Sequence, residues 1–161
     1  MSPRPWNNLP WFPERFLFNF AKYVEWPAEA FEDVKSPITI GVSGEDPFGG
    51  TLEKTFRGKM VNHRPFVIER FKEPVDIKRC HILFVARSER ARAATILEHA
   101  RKWAVLTVGE DKDFAQTGGV INILIESGKP RLEVNPDAAL EQKVSINSKL
   151  LKVAAIVRTG K

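Results

Sequence analysis

One cysteine, Cys80, stands in 161 residues. No disulfide can therefore close within the chain, and the cysteine count says nothing of the redox compartment. Next to the apolar run 81–86, Cys80 reads as a small core residue. The alternative, a reactive or intermolecular thiol, needs a lowered pKa that nothing nearby in the sequence supplies. Long apolar runs are missing too, and none approaches the ~18 residues of a membrane-spanning helix. Lys and Arg are spread along the chain without a block of like charge. The net charge of +5 and pI near 9.5 therefore permit an acidic partner, anionic lipid or nucleic acid without marking a nucleic-acid tract. There is no internal repeat, low-complexity tract or linker. The first fifteen residues are interrupted by Pro3, Pro5, Pro10 and Pro13 and hold no apolar core of a secretory leader. Export stays open, because a mature exported chain carries no leader.

Catalytic motifs are equally scarce. No G-x-S-x-G elbow, P-loop or dinucleotide fingerprint occurs. His63, His81 and His99 fall in a turn, at a strand start and on a helix face, with no metal-ligating neighbour at short spacing. Cys80 and His81 are adjacent on a strand, so their side chains point to opposite faces and share no proton.

What remains belongs to an ordinary folded domain: 43% hydrophobic and 28% charged residues. Residues 1–13 read as an extended Pro/Trp-rich arm, and 14–161 as a single domain large enough for a core without staples. Phe16, Leu17, Phe20, Ala21 and Val24 recur at helical spacing and predict an amphipathic helix that Pro27 ends. Ile38–Val42, His81–Ala86 and Ala104–Val108 read as buried strands. Short helices are expected at 51–56, 76–79 and 113–117, a turn or short strand at 58–62 and a strand at 66–71. Ser88 is expected to cap a helix with Ala93, Ile96, Leu97, Ala100 and Trp103 on its inner face. Val120–Glu126 and Arg131–Val134, joined through Gly128, predict a β-hairpin, Pro136 starts a helix, and 147–157 reads as the last helix. Strands alternating with helices predict an α/β three-layer sandwich with a mainly parallel central sheet and a late antiparallel β-hairpin at one edge.

The glycine-rich loop 41–50 follows the first buried strand. Open parallel sheets bind ligands beyond the carboxyl ends of their strands, which makes this loop the leading candidate. Asp46, Phe48, Gly49 and Gly50 are its candidate binding residues. Arg87, Ser88 and Asp111, after the next two strands, fall on the same edge if the order is parallel. The simpler reading makes Asp46 a turn cap and Phe48 a core plug. Asn122, polar inside an apolar run, either bonds a neighbouring loop or lines the crevice. Trp6, Trp11, Lys22 and Trp26, on the arm and first helix, form a candidate partner surface. No residue points to a metal or cofactor.

Several segments in order resemble the YfiR/HmsC-like family of bacterial periplasmic proteins. They are Phe18–Pro27, Gly41–Gly49, Cys80–Val85, Val105–Glu110, Phe114–Asn122 and Ile146–Ala154. The resemblance runs from about Arg15 to Val157. It implies a non-enzymatic regulator that restrains a membrane-bound diguanylate cyclase by contacting its periplasmic sensor domain, so influencing cyclic-di-GMP signalling and biofilm formation. It also implies a homodimer. The lone Cys80 departs from members that use paired cysteines as a redox element. From the residues alone, the alternative function is a small-molecule receptor or enzyme using the strand-end crevice.

Overall fold

In the computed structural model, residues 13–159 are described apart from Pro47, Gly49 and Lys78. The expected arm, with Trp6 and Trp11, lies outside the described residues save for Pro13. That proline opens the first helix, α1 (Pro13–Tyr23), where its fixed φ and missing amide cost nothing. The chain continues through β1 (Val24–Glu25), β2 (Ile38–Ser43), α2 (Thr51–Phe56), β3 (Met60–Val61) and β4 (Arg64–Phe71). Then follow β5 (Ile82–Val85), α3 (Ala93–Ala100), β6 (Leu106–Gly109), α4 (Phe114–Thr117), β7 (Ile121–Glu126) and β8 (Lys129–Val134). The last elements are α5 (Pro136–Glu141), β9 (Ser145–Ile146), α6 (Ser148–Lys152) and β10 (Ala155–Ile156).

The main sheet has the order β10-β8-β7-β6-β5-β2-β4-β3. Strands β4, β2, β5, β6 and β7 run parallel, whereas β8 turns back on β7 through the expected hairpin. β10 extends that edge parallel to β8, and β1 with β9 forms a separate antiparallel pair. The period of two sorts side chains between two cores. Ile38, Ile40, Val42, Ile82, Phe84, Leu106 and Val108 pack under α1 and α2, with Leu17, Phe20, Leu52 and Phe56. Leu83 and Val85 face the other way, against Ile96, Leu97 and Ala100 of α3 and Phe114 of α4. The protein is an α/β three-layer structure with a mostly parallel central sheet, as the alternation of elements predicts.

Three expected local elements differ. The final helix stops at Lys152, and the chain then extends so that Val157 N–H donates to Val134 O at 2.9 Å. Pairing along β8 overrides the helical spacing of Leu150, Leu151, Ala154 and Val157. The turn expected at 76–79 lies instead at Pro74–Asp76, where Pro74 supplies the first-turn φ. Ser88 caps no helix of its own: it lies in a 3₁₀ run from Arg87 to Arg92, and α3 begins only at Ala93.

Candidate functional site

Register carries the loops of the parallel strands to one edge. Phe71, Ser43, Val85, Gly109, Asn122 and Glu133 are successive partners across β4, β2, β5, β6, β7 and β8. This row marks the carboxyl ends of β4, β2, β5 and β6, while β7 begins there and runs on past it. Beyond it lie the loops 44–50, 86–92 and 110–113.

Hydrogen bonds between loops stitch this edge together. Glu45 N–H donates to Ser88 Oγ at 3.0 Å, so the hydroxyl expected to cap α3 joins two loops instead. Arg87 N–H donates to Glu110 Oε2 at 2.9 Å. Asp46 accepts the Phe48 N–H at 2.7 Å, which tightens the glycine loop, and its other oxygen accepts Arg70 Nε at 2.9 Å. Arg70 also donates to Glu53 Oε2 of α2 at 2.6 Å. Arg90 forms a forked pair with Asp111, its Nε lying 2.7 Å from Oδ2. Arg92 bridges Glu89 and Glu73, each at 2.5 Å.

These pairs set the charge states. Hydrogen bonding from Arg70 holds the Glu53 carboxyl below its ordinary pKa, and Arg90 does the same to Asp111. Both arginines are held above their ordinary values by the same bonds. Glu53 and Asp111 are thus ionised and paired at neutral pH.

Asn122 sits beneath this edge, fully buried. Its Nδ2 donates to Asp111 O at 2.7 Å and to Glu133 Oε1 at 3.3 Å, tying β7 to the loop after β6. Asn122 Oδ1 and the buried Ser43 Oγ have no hydrogen-bond partner among the described residues. At the same edge, Val85, Ala86, Arg90, Asp111 and Phe114 line a cavity of about 420 Å³. A second hollow of about 260 Å³ lies across Arg87, Arg90, Glu110 and Asp111.

The structure therefore brings Asp46, Arg87, Ser88, Asp111 and Asn122 to one edge. Phe48 is there but buried edge-on to Phe84, supporting the loop from below. Gly50 is exposed, with open space where a side chain would go, and Gly49 lies outside the described residues. Lys22 and Trp26 are elsewhere. Trp26 Nε1–H donates to His81 O at 2.9 Å, at the entry to β5 and hence the opposite end of the sheet, and Lys22 Nζ lies over the Phe18 ring. Sequence reading missed Arg70, Arg90 and Arg92, which do the stitching. The charged density of Arg87–Arg92 was a visible signal, but Arg70 is recognisable only once strand register is known.

His81 and Cys80, just before β5, lie on opposite sides: Cys80 joins the core with Leu83 and Val85, whereas His81 packs against Ala30 and Phe31. Thr39 N–H donates to His81 Nδ1 at 3.0 Å, so Nε2 carries the proton and donates to Ala30 O at 2.9 Å. The ring stacks on Phe31 at 4.2 Å, and its burial lowers its pKa. Cys80 is fully buried, and desolvation pushes its thiol up to about 12. Among the described residues no group of His, Cys, Asp and Glu is arranged to hold a metal ion, and no helix is long and apolar enough to cross a membrane.

The family description YfiR/HmsC-like matches residues 13–155. The fold is similar to the crystal structure of a conserved domain protein from Vibrio cholerae O1 biovar El Tor, at 12% identity and a TM-score of 0.63. That similarity covers 89% of this chain and 60% of the other, so this chain spans well under two thirds of that protein's length. At such identity the likeness concerns the fold alone. No curated protein matches the sequence.

Proposed function

The chain belongs to the YfiR/HmsC-like family, and from that premise we propose that it is a periplasmic regulatory binding protein. It restrains a membrane-bound diguanylate cyclase by protein–protein contact with the periplasmic sensor domain of that inner-membrane protein. The working unit is the single domain 14–161, acting without catalysis or cofactor and as a homodimer. Restraint requires only that the chain bind the inactive state of its partner more tightly than the active one.

One observation favours binding over chemistry at the strand-end edge. Asp46, Asp111 and Glu53 are already paired with Arg70 and Arg90, so they present a fixed charge pattern rather than an available acid or base. Such a surface suits recognition of another folded domain. Two measurements test the reading together. Deleting the gene should raise cellular cyclic-di-GMP, and crosslinking from the envelope fraction with tagged protein should recover a membrane protein that joins a periplasmic sensor to a cyclase domain. Unchanged cyclic-di-GMP with no such crosslink refutes it.

The cavity of about 420 Å³ at this edge, lined by Arg90 and Asp111 together with Val85, Ala86 and Phe114, supports a second reading, a small-molecule receptor. That reading expects a metabolite to raise the melting temperature of the wild-type chain and not of Arg90→Ala, which removes a side chain from the cavity wall.

A further inference from the structure

Among the described residues, strand β4 has an open outer edge. It pairs with β2 over Phe66–Phe71 on one side, but β3 covers it on the other only at Arg64 and Pro65. The hairpin joining β3 to β4 turns at Asn62 and His63, both with positive φ, and among the described residues no strand pairs with the rest of that edge. Gly44 N–H donates to Phe71 O, so Phe71 directs its backbone groups towards β2. Alternation along the ladder then directs those of Phe66, Ile68 and Arg70 outward. Edge strands of this length are usually blunted by proline, a bulge or a covering element. From Phe66 to Phe71 the sequence has no proline, and the register with β2 runs without a bulge.

A groove of about 470 Å³ runs beside this edge. Phe56, Phe66 and Ile68 form its apolar floor, and Met60, 56% exposed, stands at its β3 end. Its rim is basic. Arg57 and Lys59 meet no carboxylate within ion-pair distance among the described residues, while Glu53, which also lines the groove, is held by Arg70.

We propose that the open edge of β4 takes up an extended segment of a partner protein as an added strand. Its backbone pairs with Phe66, Ile68 and Arg70. Side chains on one face of the segment place apolar groups on Phe56, Phe66 and Ile68 and a carboxylate against Arg57 and Lys59. Backbone pairing supplies the affinity, and the groove with its rim supplies the specificity. A second copy of this chain fits less well. Pairing two β4 edges about a two-fold axis keeps the same face of each sheet on the same side, so the two basic rims would meet. The surface is separate from the strand-end loops, and the inference stands without the signalling role proposed above.

The test uses the full chain against a phage-displayed library of random octapeptides. Selected peptides should alternate, carrying apolar residues and Asp or Glu on one parity. They should bind Arg57→Glu/Lys59→Glu about tenfold more weakly than wild type, in line with losing two exposed pairs and adding repulsion. Methylating the backbone nitrogens of alternate residues should abolish binding on one parity and spare it on the other. Both substituted side chains are exposed, so the variant keeps its fold. Lack of enrichment, or peptides indifferent to both the variant and N-methylation, overturns the proposal. So does a dimer in sedimentation that Val67→Lys dissolves, because that outcome gives the edge to a second copy.

Discussion

Replacing Gly119 by alanine should destabilise the protein through one buried ring. The Phe114 ring lies against both Gly109 and Gly119 in the core beneath α3. A Cβ on Gly119 would lie 2.6 Å from Phe114 Cζ and closer still to Cε2 and Cδ2; on Gly109 it would lie 2.8 Å from Cδ1. Phe114 is 4% exposed and is packed with Val85, Ile96 and Leu97, so the ring cannot swing into solvent. Overpacking of this kind costs about 1–3 kcal/mol. It must also outweigh the ~0.4–1 kcal/mol that alanine gains by restricting the unfolded chain. We expect a net loss of about 1–2 kcal/mol, which at ~2–4 °C per kcal/mol lowers Tm by about 2–8 °C. Gly119 is not among the positive-φ residues, whereas Gly118 has φ 121°, so strain at 119 is steric and strain at 118 conformational. A double-mutant cycle separates them. Phe114→Leu should relieve much of the loss in Gly119→Ala and none of it in Gly118→Ala, read by urea unfolding with circular dichroism. A Gly119→Ala protein within ~0.5 kcal/mol of wild type, or a strictly additive cycle, refutes the packing argument.

His81 gives a pH signature. Its folded pKa lies below the ordinary 6.5, so its contribution is complete above about pH 6.5 and is lost as pH falls through the folded value. Urea stability should decline in that window for wild type and stay flatter in His81→Gln; parallel profiles refute the assignment. A second decline should begin below about pH 3.8 as Asp111, whose pKa is lowered by Arg90, takes up its proton, and Asp111→Asn should flatten that limb alone. With its pKa near 12, Cys80 is about 10⁻⁴ thiolate at pH 8, and it is buried, so a thiol reagent should label it only at the global unfolding rate; rapid native labelling refutes its burial. Asn122→Ala removes the donor to Asp111 O and should cost about 1–3 kcal/mol in urea unfolding, while a neutral result removes Asn122 from the scaffold of the edge.

Most of the sheet was legible because its central strands are short apolar runs that no exposed segment could carry. Ile38–Val42 and His81–Ala86 read as buried strands for that reason, and β2 and β5 lie there, flanked by cores on both faces. The hairpin β7–β8 was legible through Gly128, whose φ of 76° suits the turn between them. The failures share a cause. At 147–157 a local helical period competed with a strand partner distant in sequence, and the distant partner won over the last residues. At 118–119 two glycines follow the helix expected at 113–117, yet only Gly118 has the backbone conformation that stops it. Gly119 is there to make room for Phe114. Spacing reveals backbone demands, whereas a demand for space appears only when the third dimension is known.

The same distinction explains why the edge was half visible. Asp46, Ser88 and Asp111 could be placed together because each closely follows a parallel strand, and parallel order alone carries them to one end. Their partners depend on register. Arg70 sits on β4 opposite Val42, one residue before the strand ends, and from there it reaches across to Asp46 and Glu53. Arg90 meets Asp111 because the 3₁₀ run swings it over the next loop. Without these arginines the edge is a row of acids that would repel one another and invite a cation or a catalytic reading. With them it is a neutralised, cross-tied platform. The carboxylates there are held in ion pairs, whereas Arg57 and Lys59, which meet no carboxylate among the described residues, lie beside the outer edge of β4. The strand-end edge is thus closed on itself by its ion pairs, and the groove beside β4, with Arg57 and Lys59 on its rim, is the surface whose charge complements an acidic extended segment.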